Sequence, residues 1–300
     1  MSEPVLAARE LTLMFGAIKA LDAVSFSVHA HELLSIIGPN GAGKSSLLNC
    51  LSGFYRPQSG SVSFLGEDIT RLPVHRYAAL GVGRTFQGIQ TYASMTVREN
   101  ILCGFHTRMK SGLFAGLLYW GPGRREEDAF VREAEEIIEF LELEELRHAH
   151  VGELPYGLRK RVDLGRALAM KPKVLIMDEP MAGMNPEEKS DLARYILDIK
   201  EGRRIPVVLV EHDMDVVMDI SDRVMVMEWG CSIARSRRRR TRAPSRRAPR
   251  RSPRRRCPVS GAPSPRPTVP GGRRSPRYWR ADEGCCCSWS SPIRSSSARR

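Results

Sequence analysis

One stretch constrains what this chain can fold into more than any other. Leu33-Leu34-Ser35-Ile36-Ile37 runs directly into Gly38-Pro39-Asn40-Gly41-Ala42-Gly43-Lys44-Ser45, with Ser46 next. The first five residues are short, continuous and apolar, the pattern of a strand buried on both faces. The next eight fit G-x-x-x-x-G-K-[ST], and the residues after them read as a helix that Gly53 is placed to end. Strand, glycine-rich loop and helix in that order make a phosphate cradle. Glycines let successive backbone N–H groups curl around anionic oxygens, and the helix N-terminus adds partial positive charge. Lys44 is then placed to reach the β- and γ-phosphates of a nucleotide, and Ser45 to offer its hydroxyl to Mg²⁺.

The buried-strand pattern recurs at Val174 to Asp178 (VLIMD), Pro206 to Val210 (PVVLV) and Arg223 to Glu228 (RVMVME). Between the first two, EEKSDLARYILDIK sets Leu192, Tyr195, Ile196 and Ile199 on one helical face. Strands alternating with helices predict a parallel sheet covered on both sides. LAARELTLMF, AVSFSVHA and SVSFLG alternate in polarity instead, which predicts half-buried antiparallel strands. From about Gly88 to Met170 the period becomes helical. Phe130, Ala134, Ile137, Ile138 and Leu141 share one face of REEDAFVREAEEIIEFLEL, and LRKRVDLGRALA follows as a second helix. This stretch is expected to be a helical lobe inserted into the nucleotide-binding core.

Chemistry beyond phosphate binding gathers after two of the strands. Asp178 and Glu179 close VLIMD, and the carboxyl end of a buried parallel strand is where such sheets bind ligands. Asp178 is expected to hold Mg²⁺, directly or through water, and Glu179 to take a proton from an attacking water. His212 follows PVVLV at the same sheet edge, which points to a γ-phosphate contact.

Charge divides the chain in two. Its 47 basic and 34 acidic residues give +13. Cys231 to Arg300 holds 21 arginines and no lysine against Asp282 and Glu283, a net of +19, so the preceding residues carry −6. The high pI belongs to the tail. RSRRRRTRAPSRRAPRRSPRRR and GAPSPRPTVPGG cannot bury enough apolar surface to offset chain entropy, and residues 231–300 are expected to be disordered. Cys50 and Cys103 alone lie ahead of that tail, so neither a disulfide scaffold nor a zinc spacing is present there. MSEPVLAARELTL lacks the apolar core of a signal peptide, and the apolar run from Leu113 to Trp120 is too short to cross a bilayer. The body is expected to be cytosolic, reaching a membrane only through partners.

The order of these motifs (P-loop, Gln87 in RTFQ, LPYGLRKR, VLIMDEP, then His212) resembles the ATPase subunit of an ABC transporter, from about Pro4 to Gly230. The resemblance implies an α/β fold: a P-loop NTPase core of mostly parallel sheet, an antiparallel β subdomain and the inserted helical lobe of about 88–170. It also implies ATP and Mg²⁺ as the cofactors. Phe15 would stack on adenine. Gln87 would touch Mg²⁺ and water and link the site to the transporter. Ala182-Gly183-Met184-Asn185 would cross a dimer interface. Such ATPases work in head-to-tail pairs, so Pro155, Tyr156 and Gly157 would close over the nucleotide of a second ATPase subunit. The further implied partners are membrane permease subunits and, indirectly, an external substrate-binding protein; the implied location is the cytoplasmic face of the plasma membrane. EPMAGMNPEE, VEHDMDVVMDISDRV and the insert GFHTRMKSGLFAGLLYWGPGRREE are most similar to the branched-chain amino acid uptake group, with amide or urea uptake close by. Leu113, Phe114, Leu117, Leu118, Tyr119 and Trp120 of the insert fit either lobe core or a permease-docking face.

Two departures stand out. The usual signature begins Leu-Ser-x-Gly-Gln, whereas here it reads Leu154-Pro155-Tyr156-Gly157-Leu158. Pro155 offers neither hydroxyl nor N–H, so one charge-assisted hydrogen bond to the partner's γ-phosphate is missing, roughly 1.5–3 kcal/mol. Weakened activity at that opposite site is expected. The second departure is the tail, where the resemblance implies a short strand, a turn and a final helix. Ser232 to Ala234 still fit; from Arg235 the arginine-rich, lysine-free run reads like GC-rich coding sequence shifted by one base. Two other readings follow from the tail: an ABC-type ATPase acting on nucleic acid through a polycationic arm, and a transporter subunit damaged at its C-terminus.

Overall fold

The computed structural model describes residues 3–108 and 122–237, all within the first of two units of the chain, Met1–Ala243. Strands β1 (Leu6–Phe15) and β2 (Ile18–Val28) form an antiparallel hairpin, and β3 (Leu33–Ile37) leads through the P-loop into helix α1 (Lys44–Leu51). β4 (Ser59–Phe64) and β5 (Glu67–Asp68) then complete a four-stranded sheet in the order β2-β1-β4-β5. Short α2 (Val74–Leu80) precedes β6 (Val82–Thr85), and three helices follow: α3 (Val97–Cys103), α4 (Pro122–Phe140) and α5 (Tyr156–Ala169). The chain returns as β7 (Val174–Asp178), α6 (Pro186–Glu201), β8 (Val207–Val210), α7 (Met214–Ile220), β9 (Arg223–Glu228) and β10 (Cys231–Arg237).

The second sheet has the order β10-β9-β3-β8-β7-β6, parallel except for the last hairpin. Its strands carry apolar residues on both faces, and successive side chains enter different cores. Leu34, Ile36, Val174, Ile176, Val208 and Val210 pack with α1 and the antiparallel sheet. Leu33, Leu175, Met177, Val207 and Leu209 pack against α5, α6 and the helical lobe. That is why these strands read as continuous apolar runs while β1 and β4 alternate.

Helix ends follow local chemistry. Thr96 and Glu99 form a reciprocal capping box at α3, as Asn185 and Glu188 do at α6, where Pro186 occupies the first turn. Asp213 caps α7 by accepting from the Val216 N–H. Gly53, just past the end of α1, has φ +77, the left-handed turn expected of it.

The second sheet does not stop at Gly230, where the sequence pattern ends the ATPase domain. β10 continues antiparallel to β9, with Cys231 opposite Glu228 and Arg237 opposite Arg223. A strand at a sheet edge needs only one paired neighbour, so the arginine-rich composition that reads as disorder is compatible with pairing this far. The rest of the tail, and the insert residues Leu113 to Trp120, lie outside the described residues. No described helix is long and apolar enough to cross a membrane.

Candidate active site

Parallel pairing puts the carboxyl ends of β6, β7, β8, β3 and β9 along one edge of the sheet. Each strand delivers one part of the site there: β6 leads to Gln87, β7 to Asp178 and Glu179, β8 to Glu211 and His212, β3 to the P-loop. A cavity of about 690 Å³ opens at this edge. Asn40, Gly41, Gly43, Lys44, Ser45, Ser46, Gln87, Glu179 and His212 all line it.

The P-loop is shaped by contacts that exclude side chains. A Cβ on Gly38 would lie 2.1 Å from the Met227 carbonyl oxygen, and one on Gly43 would lie 2.4 Å from that of Ala20. Both backbones are at positive φ, 154° and 93°. Lys44 is buried, and its ammonium donates to the carbonyls of Gly38 (2.7 Å) and Pro39 (2.9 Å), so it lies back along the loop. Burial lowers its pKa, an effect opposed by the charges of Glu179 and Asp178. Ala42, also buried, and Pro39 support the loop without lining the cavity.

Glu179 is held on both carboxylate oxygens. His212 Nε2–H donates to Oε1 at 2.7 Å, and Gln87 Nε2 donates to Oε2 at 2.9 Å. Its backbone lies at φ +46, a conformation costing a non-glycine residue on the order of 1–3 kcal/mol, and its N–H is fixed to the Val210 carbonyl at 2.9 Å. Behind it, Asp178 is buried, and its Oδ2 meets Arg84 Nη2 at 3.4 Å. Asp178 Oδ1 is buried without a hydrogen-bond partner. Burial raises the Asp178 pKa, the neighbouring Glu179 charge raises it further, and Arg84 opposes both.

These residues fit Mg²⁺ held with a nucleotide. Among the described residues no group of three His, Cys, Asp or Glu gathers as a metal site. Mg²⁺ does not need one, because it keeps waters and shares phosphate oxygens, taking one or two protein ligands. Ser45 and the unpartnered oxygen of Asp178 could supply them, with Gln87 close by on Glu179.

Four further residues support the site, though the sequence reading gave none of them a role. Arg84 is clamped by Asn49 Oδ1 (2.7 Å) on α1 and Ser52 Oγ (2.6 Å) just past its end, and lies against the rings of Phe86 and Phe54. It thereby ties α1 to β7 beneath the cradle. Lys160, buried on α5, donates to the Gln87 carbonyl at 2.8 Å. Glu211 is buried and accepts from the Met181 and His212 N–H groups, fixing the start of the loop that bears His212. Trp229 lines the cavity from the β9–β10 turn. Glu211 and Trp229 follow sheet strands, a positional signal that Lys160, on a helix, does not share.

Arg84→Ala should cost about 3–5 kcal/mol, because it leaves Asp178 buried without its cation, whereas exposed pairs such as Lys19–Asp22 are worth under about 1 kcal/mol. Urea denaturation of the two variants Arg84→Ala and Asp22→Ala checks the contrast; equal midpoints would refute it.

Phe15 and the three residues expected to face a second subunit's nucleotide do not line this cavity. Phe15 is 47 % exposed, its ring edge-on to Tyr55 at 5.3 Å, and it is not among the residues lining the cavity. Pro155, Tyr156 and Gly157 also lie apart from it, at the start of α5. Pro155 is the N-cap itself rather than a first-turn residue, is exposed, and provides no side-chain cap; Tyr156 is exposed and Gly157 buried. Through Lys160 this helix touches the Gln87 backbone, so the signature segment and the chain's own Glu179 are two contacts apart.

Comparison with known proteins agrees with this arrangement. The ABC transporter family model matches residues 21–182. The chain is 38% identical over 234 residues to the high-affinity branched-chain amino acid transport ATP-binding protein BraF of Pseudomonas aeruginosa, covering 78% of this chain and 92% of that one. It is 37% identical, with the same coverage, to the corresponding protein LivG of Escherichia coli K12. Among solved structures, a nucleotide-free ATP-binding cassette from an ABC transporter matches with a TM-score of 0.69 and 38% identity over 78% of this chain and 92% of that one. The ADP conformation of such a cassette matches with a TM-score of 0.70 and 38% identity over 79% and 92%. With the family model spanning over half the chain and relatives covered almost end to end, this protein belongs to the ABC transporter family, as one of its ATP-hydrolysing subunits.

Proposed function

We propose that this subunit energises uptake of branched-chain amino acids, or of related amino acids and amides, through membrane permease subunits at the cytoplasmic face of the plasma membrane. The observation that carries the ATPase chemistry is the convergence of Lys44, Gln87, Glu179 and His212 on one cavity at the carboxyl edge of the sheet. The substrate class is supported by the printed names of relatives 37–38% identical over most of their length.

In this reading the P-loop amides and Lys44 hold the phosphates, with Lys44 leaving the Gly38 and Pro39 carbonyls for the β- and γ-oxygens. Glu179 takes the proton of the attacking water, while His212 and Gln87 fix the direction of its carboxylate. Mg²⁺, when bound beside Ser45 and Asp178, would neutralise charge that develops on the phosphates. A second ATPase subunit, alike or unlike, would lie head-to-tail, with the exposed Pro155–Tyr156 start of α5 facing its nucleotide. Because Pro155 brings no hydroxyl, the site it faces should be the slower of the two.

Lys44→Ala should weaken ATP binding roughly 10- to 100-fold, the loss of a charge-assisted phosphate contact. Equilibrium titration with a fluorescent ATP analogue measures it, and unchanged affinity would remove Lys44 from the site. For the transport assignment, cells supplied with this subunit and its permease partners should accumulate labelled leucine. Lys44→Ala should abolish that uptake; uptake that persists with the variant would count against the assignment.

A further inference from the structure

We infer that Trp229 is a nucleotide-base contact of this ATPase, forming an aromatic wall of the cavity where the adenine ring rests; this relies on the cavity being the ATP site. The residue is out of place by local rules. Cys231 pairs with Glu228, so Trp229 and Gly230 make a two-residue hairpin turn, and both have positive φ, 48° and 77°. Such turns favour Asn-Gly, Asp-Gly or Gly-Gly, and a bulky residue at positive φ is an outlier. Trp229 is also 84 % exposed, so it recovers little burial in return. A strained, exposed tryptophan that lines a ligand cavity points to a ligand.

The turn is fastened to the phosphate cradle. Gly230 N–H donates to the Ala42 carbonyl of the P-loop at 3.1 Å, and Asp22 N–H donates to the Gly230 carbonyl at 2.9 Å. Trp229 is therefore fixed relative to the residues that hold the phosphates. Ile18, Lys19 and Ala20 of β2 line the same cavity, and Ile18 is 71 % exposed. A planar base carried on a triphosphate whose phosphates sit on Lys44 would lie in the cavity that Ile18 and Trp229 also line. Phe15 pairs with Ile18 in the hairpin but has its ring on Tyr55, outside the cavity lining.

The test uses the full chain. Trp229→Ala should raise the dissociation constants of ATP and ADP roughly ten-fold, in the range of base–aromatic stacking, with the loss falling on KM rather than kcat. Trp229→Phe should keep most of the affinity. Inorganic tripolyphosphate, which has no base, should compete for the site with the same inhibition constant in wild type and Trp229→Ala. Energy transfer from tryptophan to a fluorescent ADP analogue should fall in Trp229→Ala, although Trp120, Trp279 and Trp289 remain. The inference is overturned if Trp229→Ala binds ATP as wild type does, or if tripolyphosphate binding falls in parallel, which would mean the turn only shapes the P-loop. Normal ATP affinity in Lys44→Ala would instead overturn the assignment of the cavity itself.

Discussion

Glu179→Gln should keep ATP bound and all but stop its hydrolysis, with turnover reduced roughly 10²- to 10⁴-fold, the contribution of a positioned general base. The substitution keeps size and shape, so the left-handed backbone at this residue and its N–H bond to Val210 are undisturbed. Proton affinity is what disappears. The carboxylate accepts from His212 on one oxygen and from Gln87 on the other; an amide accepts on one side and donates on the other, where Gln87 by turning its own amide or His212 by changing tautomer can accept. Lys44 and the P-loop lie on a different strand end and keep their phosphate contacts. Removing one negative charge beside the phosphates should leave ATP affinity equal or higher. Phosphate release and equilibrium nucleotide binding, measured on the same preparation, separate these effects. Hydrolysis within a few-fold of wild type would mean that another group takes the proton.

The parts of the molecule that were legible in the sequence are those where one physical requirement dominates. Burial on both faces makes β3, β7 and β8 continuous apolar runs, and a loop that must wrap phosphate needs glycine where side chains collide, as at Gly38 and Gly43. The antiparallel strands were equally plain from alternation at Leu11, Leu13 and Val62, Phe64. β6 was missed because Val-Gly-Arg-Thr is neither apolar nor alternating; its arginine is buried only because Asp178, Asn49 and Ser52 are there to receive it. Such partners are distant in sequence, and one chain gives no sign of the pairing. Lys160 was hidden for the same reason: on a helix rich in Arg and Lys it looks like a solvated cation, yet it is buried on the Gln87 carbonyl. Phe15 shows the converse. A base-stacking role for it was implied by family resemblance alone; in the structure its ring meets Tyr55, brought in from beyond α1, in a T-shaped contact.

Where the chain can be cut follows from the last hairpin. A protein ending at Gly230 should lose at least roughly 10 °C in thermal midpoint or fail to stay soluble, whereas one ending at Ala243 should unfold as the full chain does. β10 covers the outer edge of β9, and β9 flanks β3, which feeds the P-loop. Removing β10 strands the backbone groups of Arg223 to Glu228 that face it. At about 1 kcal/mol for each lost pair, three or more such losses produce a shift of that size in a domain of this length. An uncovered β9 would also present a pairing edge to other chains. The shorter protein should in addition bind ATP more weakly, because Gly230, its new terminus, holds the Ala42 carbonyl of the P-loop. Beyond Ala243 the chain is Arg, Ser and Pro with few large apolar residues, a composition that contributes charge rather than packing. The cut at Ala243 should therefore remove most salt-sensitive attachment to RNA or anionic lipid and leave ATP affinity as it was. Thermal melts, ATP titrations and salt-dependent RNA binding on the three lengths decide it. A protein ending at Ala243 that melts far below the full chain would show that the arginine-rich segment packs on the ATPase, and a protein ending at Gly230 that melts with the others would show that β10 adds nothing to the sheet.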